Sequence, residues 1–266
     1  MTTPANVLTI AGSDSSGGAG IQADIKTFSA LGAYATSVIT AVTAQNTQGV
    51  RHIHDIPVPS IVAQIEAVLD DVEIDVVKIG MLSQPEVILA VAECLQKRTL
   101  RHIVLDPVMV ASSGDALLVE DAVEALKTTL LPLASLITPN LPEAAVLLGI
   151  EPLYDKAHML DVACRIRDLG VPNVLLKGGH LANNDCIDLM YYGEELWLPA
   201  DRIDTDNTHG TGCTLSSAVA ALLATGMDMC DAVTGAKQYI HQAIATADQL
   251  NVGNGHGPVH HFNQWW

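Results

Sequence analysis

Residues 7–31 read VLTIAGSDSSGGAGIQADIKTFSAL, and this stretch decides the fold. Residues 7–11 form a continuous apolar run, which is typical of a strand that is buried on both faces. A glycine-rich segment follows at residues 12–20, and a helical pattern of apolar residues occupies residues 21–31. A strand, a tight loop and a helix in this order predict the first unit of an α/β domain.

The same alternation of short apolar runs and amphipathic stretches continues along the chain. It predicts further strands at residues 37–44, 75–79, 102–105, 136–138 and 174–176. It predicts further helices at residues 60–72, 85–96, 120–130, 142–148, 156–168, 212–224 and 228–250. Two runs around Gly193 predict an antiparallel pair at the edge of the sheet. We therefore expect residues 1–266 to form a single α/β domain with a mainly parallel sheet flanked by helices.

The charge balance excludes some classes of partner. The 266 residues include 13 Lys and Arg and 30 Asp and Glu, a formal net charge of −17. A non-specific nucleic-acid binder or a protein of anionic membrane surfaces needs a basic face, so neither partner is expected. The acidic net charge is still compatible with an anionic small ligand, since a few backbone N–H groups can form a local positive pocket.

Cysteine usage and hydropathy indicate the compartment. The five cysteines contain no CxxC pair, which predicts reduced thiols rather than a disulfide framework or a zinc site. The tail histidines His256, His260 and His261 also lack partners at zinc-ligand spacing. No apolar stretch is long enough to span a membrane, and the N-terminus lacks the pattern of a signal peptide. We expect a cytoplasmic protein.

Two glycine-rich turns are candidate ligand sites, because ligands of open α/β sheets bind at the carboxyl ends of the strands. The first, residues 12–20, lacks the Walker Lys-Ser/Thr and the spacing of a dinucleotide fingerprint, so it is either a close-approach loop or a structural turn. The second reads NTHGTGCTLS at residues 207–216. Its N–H groups from Gly210 to Cys213 would converge at a helix N-terminus as an anion site, unless the turn is only a helix cap.

Three charged residues follow predicted strands. Asp106 and Glu143 carry carboxylates that suit Mg²⁺, a hard ion that takes one or two carboxylates together with phosphate oxygens. Their alternative roles are helix capping for Asp106 and a first-turn partner of the helix dipole for Glu143. Lys177 could meet a phosphate, or it could be an ordinary solvated lysine.

Seven motifs in register resemble one enzyme family. They are AGSDSSGGAGIQAD (11–24), AQNT (44–47), KIGM (78–81), DPV (106–108), TPNLPE (138–143), LKGGH (176–180) and HGTGCT (209–214). Together they resemble the bifunctional hydroxymethylpyrimidine/phosphomethylpyrimidine kinases of thiamine biosynthesis, which are ribokinase-like enzymes. The resemblance runs from about residue 7 to the GPVHHF tail, so it covers nearly the whole chain.

The resemblance implies a fold and an activity. The implied fold is a ribokinase-like three-layer sandwich, and the implied assembly is a homodimer. The implied activity is ATP-dependent phosphorylation of 4-amino-5-hydroxymethyl-2-methylpyrimidine to its monophosphate and then to its diphosphate, with Mg²⁺. The partners would be this small-molecule pyrimidine and ATP.

The resemblance also implies residues of the pyrimidine site. The amide of Gln45 would pair with the aminopyrimidine edge, because it offers both a donor and an acceptor. Met81 would form a polarizable wall beside the ring, next to Val108. Gly12 would lie in the same site. Asp24 would contact the amino or hydroxymethyl group, unless it is a surface acid of the first helix.

The phosphate site follows from the same resemblance. Residues Gly210, Thr211, Gly212 and Cys213 would bind the ATP phosphates through their N–H groups, and Lys177 would assist catalysis. Cys213 stands where most ribokinase-like sugar kinases carry an aspartate base. A helix N-terminus is expected to lower its thiol pKa, which suits a base, but Cys213 could also be only a small residue in the anion site.

Three other functions compete with this interpretation. A pyridoxal kinase would share the turn that contains Cys213, although Gln45 with Met81 favours the pyrimidine. A catalytically silent pyrimidine sensor would have lost the phosphate-site residues. The presence of Lys177, Glu143 and the complete GTGC turn argues against this function. A nicotinamide oxidoreductase would need a dinucleotide fingerprint, which is missing.

Overall fold

The computed structural model describes residues 3–109, 120–181 and 186–266, and within these ranges nine strands form one sheet. The strands are β1 (Asn6–Ser13), β2 (Tyr34–Asn46), β3 (Gly49–Asp55), β4 (Val76–Ile79), β5 (His102–Leu105), β6 (Leu136–Ile137), β7 (Val174–Leu176), β8 (Asp188–Tyr191) and β9 (Glu195–Leu198). The helices are α1 (Gly20–Ala30), α2 (Val58–Leu69), α3 (Pro85–Gln96), α4 (Glu120–Ala125), α5 (Leu141–Leu148), α6 (Met159–Arg167), α7 (Thr211–Ala224) and α8 (Met229–Ala245).

The sheet is mainly parallel, in the order β3-β2-β1-β4-β5-β6-β7-β8-β9. Strands β1, β2, β4, β5, β6 and β7 run parallel, whereas β3 pairs antiparallel with β2 at one edge. At the other edge β7, β8 and β9 pair antiparallel, as the runs around Gly193 predict. Parallel neighbours require crossover connections, which the helices supply. The predicted α/β class is confirmed.

Two hydrophobic cores lie on the two faces of the sheet. Val77 and Leu105 pack with helices α2 to α6, and Val76 and Val104 pack with α1, α7 and α8. Neighbouring residues of one strand point to opposite faces, so each short strand contributes to both cores. Fully burying a side chain of this size stabilises the fold by roughly 1.5–3 kcal/mol. This explains why the strands are continuous apolar runs.

The sequence pattern did not predict β3. The predicted strand at residues 37–44 extends over 13 residues, Tyr34–Asn46, and turns back into β3. Beyond Gly49 every residue of β3 is exposed, so the strand has no buried face and no alternating pattern to signal it. The register between the two strands shifts between Ala44 and Gln45, where β3 has one extra residue, Arg51, opposite β2.

Two predicted helices differ from the expectation in their last turns. The helix at 120–130 is α-helical to Ala125 and continues as a π-helical turn, Leu126–Leu130. Pro132 lies just beyond and has no N–H to continue the ladder. The helix at 228–250 ends at Ala245, before a short 3₁₀ turn. None of the helices in the described ranges is both long and apolar enough to cross a membrane.

Candidate active site

A cavity of about 680 Å³ opens at the carboxyl ends of the parallel strands. The loops that follow β1, β4, β5, β6 and β7 line it together with the N-terminus of α7. The structure brings eleven of the twelve predicted site residues to this wall: Gly12, Gln45, Met81, Asp106, Val108, Glu143, Lys177, Gly210, Thr211, Gly212 and Cys213. Asp24 is the exception.

The turn at residues 210–213, the anion turn, begins α7 and depends on glycine. Gly210 is the residue before the helix and has a φ of +80°, in the left-handed region. A Cβ at Gly210 would lie 1.8 Å from the carbonyl oxygen of Gly18, so the two glycine-rich turns touch there and a side chain cannot fit. In the part of the chain that the structure describes, the N–H groups of Gly212 and Cys213 have no acceptor. They are therefore available to an anion at the positive end of the helix.

Lys177 lies between the two predicted metal ligands. Its Nζ is 3.1 Å from Asp106 Oδ1 and 3.7 Å from Glu143 Oε2. A Cβ at Gly212 would lie 3.4 Å from Lys177 Nζ and 3.8 Å from Asp106 Oδ2, which shows that the anion turn faces this cluster. Lys177 is thus not a freely solvated lysine: its side chain is only 14% exposed.

Burial and neighbouring charges set the ionisation of this cluster. Burial opposes the charged form of Lys177, but Asp106 and Glu143 outweigh it and raise the pKa of Lys177 above its ordinary value. Burial likewise opposes ionisation of Asp106, yet Lys177 and Lys78 hold the pKa of Asp106 below its usual range. Burial dominates at Glu143 and raises its pKa to about 7.

The two carboxylates have structural partners as well. Glu143 and Asn140 form a capping box: Asn140 N donates to Glu143 Oε2 and Glu143 N donates to Asn140 Oδ1, both at 2.8 Å. Asp106 accepts from Thr138 Oγ1 at 3.0 Å and from Ser216 Oγ at 3.1 Å. Glu143 thus lies in the first turn of α5, as its alternative role predicts, and it also lines the cavity.

The donor set fits a magnesium ion that shares its coordination with phosphates. The described residues contain no group of three or more His, Cys, Asp or Glu that could hold a metal alone. Asp106 and Glu143 nevertheless supply two hard carboxylates at one wall, beside the positive charge of Lys177. Mg²⁺ usually takes one or two carboxylates and completes its shell with water and substrate phosphates.

Gly12, Met81 and Gln45 form the other end of the cavity. A Cβ at Gly12 would lie 2.9 Å from Met81 Cε, so glycine leaves the space that the methionine occupies. The backbone of Gln45 is held by Ser15: Ser15 Oγ donates to Gln45 O at 2.7 Å, and Gln45 N donates to Ser15 Oγ at 2.9 Å. These bonds hold the backbone of Gln45, whose side chain lines the cavity together with Val108.

The prediction that Asp24 contacts the substrate is corrected by the structure. Asp24 is fully buried on α1 and pairs with Lys78 Nζ at 2.9 and 3.0 Å. Thr9 Oγ1 donates to one carboxylate oxygen and Ser217 Oγ to the other, each at 2.6 Å. Every oxygen is committed inside the protein, so Asp24 supports the cavity from beneath and is neither a ligand nor a surface acid.

The expectation for the Cys213 thiol is also wrong. A helix N-terminus was expected to lower its pKa, but burial raises the pKa of Cys213 to about 11, and Lys78 offsets this only in part. Loss of hydration is the largest influence on this thiol. Cys213 is therefore a protonated thiol at neutral pH in the unliganded protein.

Several cavity residues were missed by sequence reasoning. Lys78 lines the floor although it belongs to a buried strand, and its Nζ points toward Gly80 and Asp24. Asp14 and His209 lie at the junction of the two glycine-rich turns, with 2.8 Å between Asp14 Oδ2 and His209 Nε2. Both belong to quoted motifs, but only the folded chain shows that they meet.

Comparisons with known proteins agree on one family. The model of the family described as phosphomethylpyrimidine kinase matches residues 14–260. The chain is 55% identical over 260 residues to a hydroxymethylpyrimidine/phosphomethylpyrimidine kinase of Rhizobium meliloti, covering 97% of each chain. It is similar to the solved phosphomethylpyrimidine kinase of Clostridium difficile, with 47% identity, a TM-score of 0.80, and 90% of this chain and 99% of that one covered. It is also similar to the ADP complex of Bacillus subtilis pyridoxal kinase, with 37% identity and a TM-score of 0.91. The match covers 98% of this chain and 99% of that chain.

We predict that Asp24→Asn destabilises the protein by about 3–5 kcal/mol, because it leaves Lys78 buried without its partner. Adding Lys78→Met should restore part of this loss, since the uncompensated charge is then gone. The measurement is urea unfolding followed by circular dichroism.

Lys97→Met is the matched control. It breaks the pair between Lys97 and Glu93, whose side chains are 63% and 71% exposed, and should leave the unfolding free energy nearly unchanged. If Asp24→Asn changed the unfolding free energy as little as this control, the buried Lys78–Asp24 pair would not stabilise the floor of the cavity.

Proposed function

The chain belongs to the phosphomethylpyrimidine kinase family, and on that premise we propose how its cavity phosphorylates a hydroxymethylpyrimidine and then the resulting monophosphate. The enzyme is an ATP-dependent phosphotransferase of the ribokinase-like fold. One observation carries the proposal: a single cavity joins a polar amide and an apolar wall at one end to free helical N–H groups and Lys177 at the other.

The pyrimidine binds at the end formed by Gly12, Gln45, Met81 and Val108. The amide of Gln45 offers one acceptor and one donor, which match the amino group and the ring nitrogen of a 4-aminopyrimidine edge. Met81 contacts the ring face, where a thioether packs well against an aromatic ring. A planar heteroaromatic alcohol fits this end of the cavity.

The phosphates of ATP bind at the anion turn. The free N–H groups of Gly212 and Cys213 point to the site where charge develops on the transferred group, and Lys177 adds a fixed positive charge. Positioning and charge stabilisation are the main contributions of a protein to phosphoryl transfer. The transfer is in line, from the terminal phosphate of ATP to the hydroxymethyl oxygen.

The base of ATP binds at the remaining wall of the cavity. Apolar side chains of Ile203, Ile240 and Ile244 line it beside Lys237 and His241. An apolar wall with a few polar groups is typical of a site for a heterocyclic base. The ADP complex of the similar Bacillus subtilis pyridoxal kinase supports a nucleotide in this fold.

Asp106 and Glu143 would hold Mg²⁺ at the phosphates. When bound, the ion neutralises charge on the phosphate oxygens and orients them. Within the protein, Lys177 holds the two carboxylates in place, and the capping box holds the backbone of Glu143.

Cys213 accepts the proton of the alcohol in the first transfer. The neutral thiol must first ionise, and its thiolate is then a strong base because its pKa is about 11. The second transfer needs no base, since the attacking phosphate monoester has a second pKa near ~6 and is largely ionised at neutral pH. In that step Cys213 contributes only its backbone N–H.

We also propose that the chain is a single kinase domain that forms a homodimer in the cytoplasm. The single-sheet arrangement of strands from Asn6 to Leu198 supports one domain. On the face of the β2–β3 hairpin opposite Val50 and Ile53, which line the cavity, the exposed apolar side chain of Val42 offers a contact for a second copy. All five cysteines are free thiols, which supports a reducing compartment.

We predict that the purified protein, given ATP, Mg²⁺ and 4-amino-5-hydroxymethyl-2-methylpyrimidine, produces the monophosphate and then the diphosphate. Mass spectrometry of the products checks both steps. Equimolar pyridoxal should be the poorer substrate in competition, because it lacks the aminopyrimidine edge. Preferential phosphorylation of pyridoxal would reject the proposed substrate.

We predict that the first transfer, but not the second, accelerates with pH. Between pH 7 and 9 the single-turnover rate of the first step should rise about tenfold per pH unit, as the thiolate fraction of Cys213 does below a pKa of about 11. The second step should stay nearly flat over this range.

Cys213→Ala should slow the first step by roughly 10²–10⁴ and remove its pH dependence, while the second step changes much less. Each step is measured with its own substrate. Equal losses in both steps would show that Cys213 only shapes the anion turn.

We predict that Glu143→Gln lowers kcat about tenfold and raises the Mg²⁺ concentration for half activity about tenfold. A tenfold change corresponds to a loss of about 1.4 kcal/mol in the interaction of this side chain with the metal ion. Glutamine can still accept the capping hydrogen bond from Asn140, so the melting temperature should change little. The exposed Glu151→Gln is the matched control and should behave as wild type. An unchanged Mg²⁺ profile would remove Glu143 from the metal site.

A further inference from the structure

We propose that the C-terminal segment, residues 253–262, positions the anion turn for phosphoryl transfer. It acts through the contact between His261 and Thr214, which holds the N–H groups of Gly212 and Cys213 in the direction of the phosphates. Neither His261 nor Thr214 lines the cavity, so both are positioning residues rather than catalytic ones. The inference rests on the proposed function, because it requires that the anion turn binds the phosphates.

The C-terminal segment is tied into the fold by α8. The last residues of a chain are usually poorly ordered unless other elements hold them. Here residues 257–261 are all buried. Tyr239 Oη donates to His261 O at 2.6 Å, and His260 N donates to Ala243 O at 2.9 Å. The segment is therefore a fixed part of the protein and can position other groups.

The start of the C-terminal segment is joined to the turn between β2 and β3. Gly255 N donates to Thr47 Oγ1 at 3.1 Å, and His256 N donates to Thr47 O at 2.9 Å. A Cβ at Gly255 would lie 2.2 Å from the carbonyl oxygen of Thr47, so only glycine permits this approach. Thr47 is two residues from Gln45, so the segment runs from the hairpin of the proposed pyrimidine end to the anion turn.

The middle of the C-terminal segment pairs with His209, the residue that precedes the anion turn. His209 N donates to Gly257 O at 3.0 Å, and Val259 N donates to His209 O at 3.3 Å, as in a short parallel bridge. Asn207 Oδ1 also accepts from Gly257 N at 2.9 Å. These bonds fix the path of the chain into α7, but they do not fix how its first turn is rotated about the helix axis.

The side chain of His261 supplies that second constraint. Its Nε2 lies 3.1 Å from Thr214 Oγ1, and both residues are buried. Thr214 N donates to Gly210 O at 2.9 Å, which closes the first turn of α7. Gly212 and Cys213 lie within this turn. Holding the side chain of Thr214 therefore holds the direction of their N–H groups.

The contact between His261 and Thr214 is the same throughout the neutral pH range. Burial, together with the nearby charge of Lys26, lowers the pKa of His261 to about 3, so the ring is neutral. A nitrogen of a neutral imidazole either donates or accepts, and a hydroxyl can do both, so the bond forms with either tautomer. Each buried polar group is the other's partner, and removing one leaves the other unsatisfied.

Thr214→Val removes the hydroxyl at nearly constant shape and should let the first turn of α7 tilt. Removing one donor of this kind costs roughly 10²–10³ in kcat, and a tilted donor should cost less, so we expect a loss of about tenfold. Both transfers should slow alike, because the N–H groups serve both, while KM for the pyrimidine stays within about twofold. Thr214→Ser keeps the hydroxyl and should behave as wild type.

A lower melting temperature of Thr214→Val with an unchanged kcat would show a merely structural contact and overturn the proposal. A raised KM for the pyrimidine with an unchanged kcat would overturn it as well.

A double-mutant cycle tests whether His261 and Thr214 act through each other. His261→Leu should also lower kcat about tenfold, and the double variant should be no slower than either single variant. A loss of about 100-fold, the product of two independent effects, would contradict the proposal. Trp265→Phe is the matched control. It removes the hydrogen bond from Trp265 Nε1 to Ala30 O, which does not reach the anion turn, and should keep the wild-type kcat.

Nuclear magnetic resonance of the wild-type protein provides a test that does not depend on any variant folding. Adding the non-hydrolysable analogue AMP-PCP should move the amide resonances of Gly212 and Cys213. The Nε2 resonance of His261 should move with them, because Thr214 links the ring to the turn, whereas the ring of the exposed His158 should not respond. Amide shifts without a response of His261 would overturn the inference. Unmoved amides would show that the phosphates bind elsewhere and would overturn the proposed function as well.

Discussion

The fully buried ion pair between Lys78 and Asp24 is the interaction on which the rest of the site depends. It joins β4 to α1, and the hydroxyl groups of Thr9 and Ser217 extend it to β1 and α7. These four elements lead into or out of the cavity wall. A charge pair of this kind is costly to bury, but it is also costly to break, because one partner alone would remain charged in a region without water. The pair therefore fixes how the four elements meet more than it adds net stability.

Above this pair the two glycine-rich turns are in direct contact. The carbonyl of Gly18 occupies the space that a Cβ at Gly210 would need, and Asp14 bonds to His209 across the same junction. The first turn is thus neither a generic phosphate loop nor only a structural turn. It supports the anion turn on one side and holds Gln45 through Ser15 on the other. A single contact between loops therefore connects the wall that we propose binds the ring to the turn that we propose binds the phosphates.

An acidic protein with a net charge of −17 binds phosphates because the relevant field is local. The positive character comes from Lys177 and from the N–H groups at the start of α7, and both act over a few ångströms in a partly buried cavity. The nearby carboxylates of Asp106 and Glu143 reduce this field, which is the electrostatic reason to expect a divalent cation beside the phosphates. Cys213 experiences the same surroundings, and loss of hydration makes its thiol harder to ionise than a solvated thiol.

The sequence by itself determined the α/β class, most strands and helices, and eleven residues of the cavity wall. Apolar periodicity reports burial directly, and residues after parallel strands must meet at one edge of the sheet. Only the tertiary structure decided the features that depend on what surrounds a residue. The strand β3 has no buried face to signal it, the role of Asp24 follows from a distant lysine, and the ionisation of Cys213 follows from burial. Hydrogen-bond partners and solvation are set by residues far apart in the chain, and no local pattern encodes them.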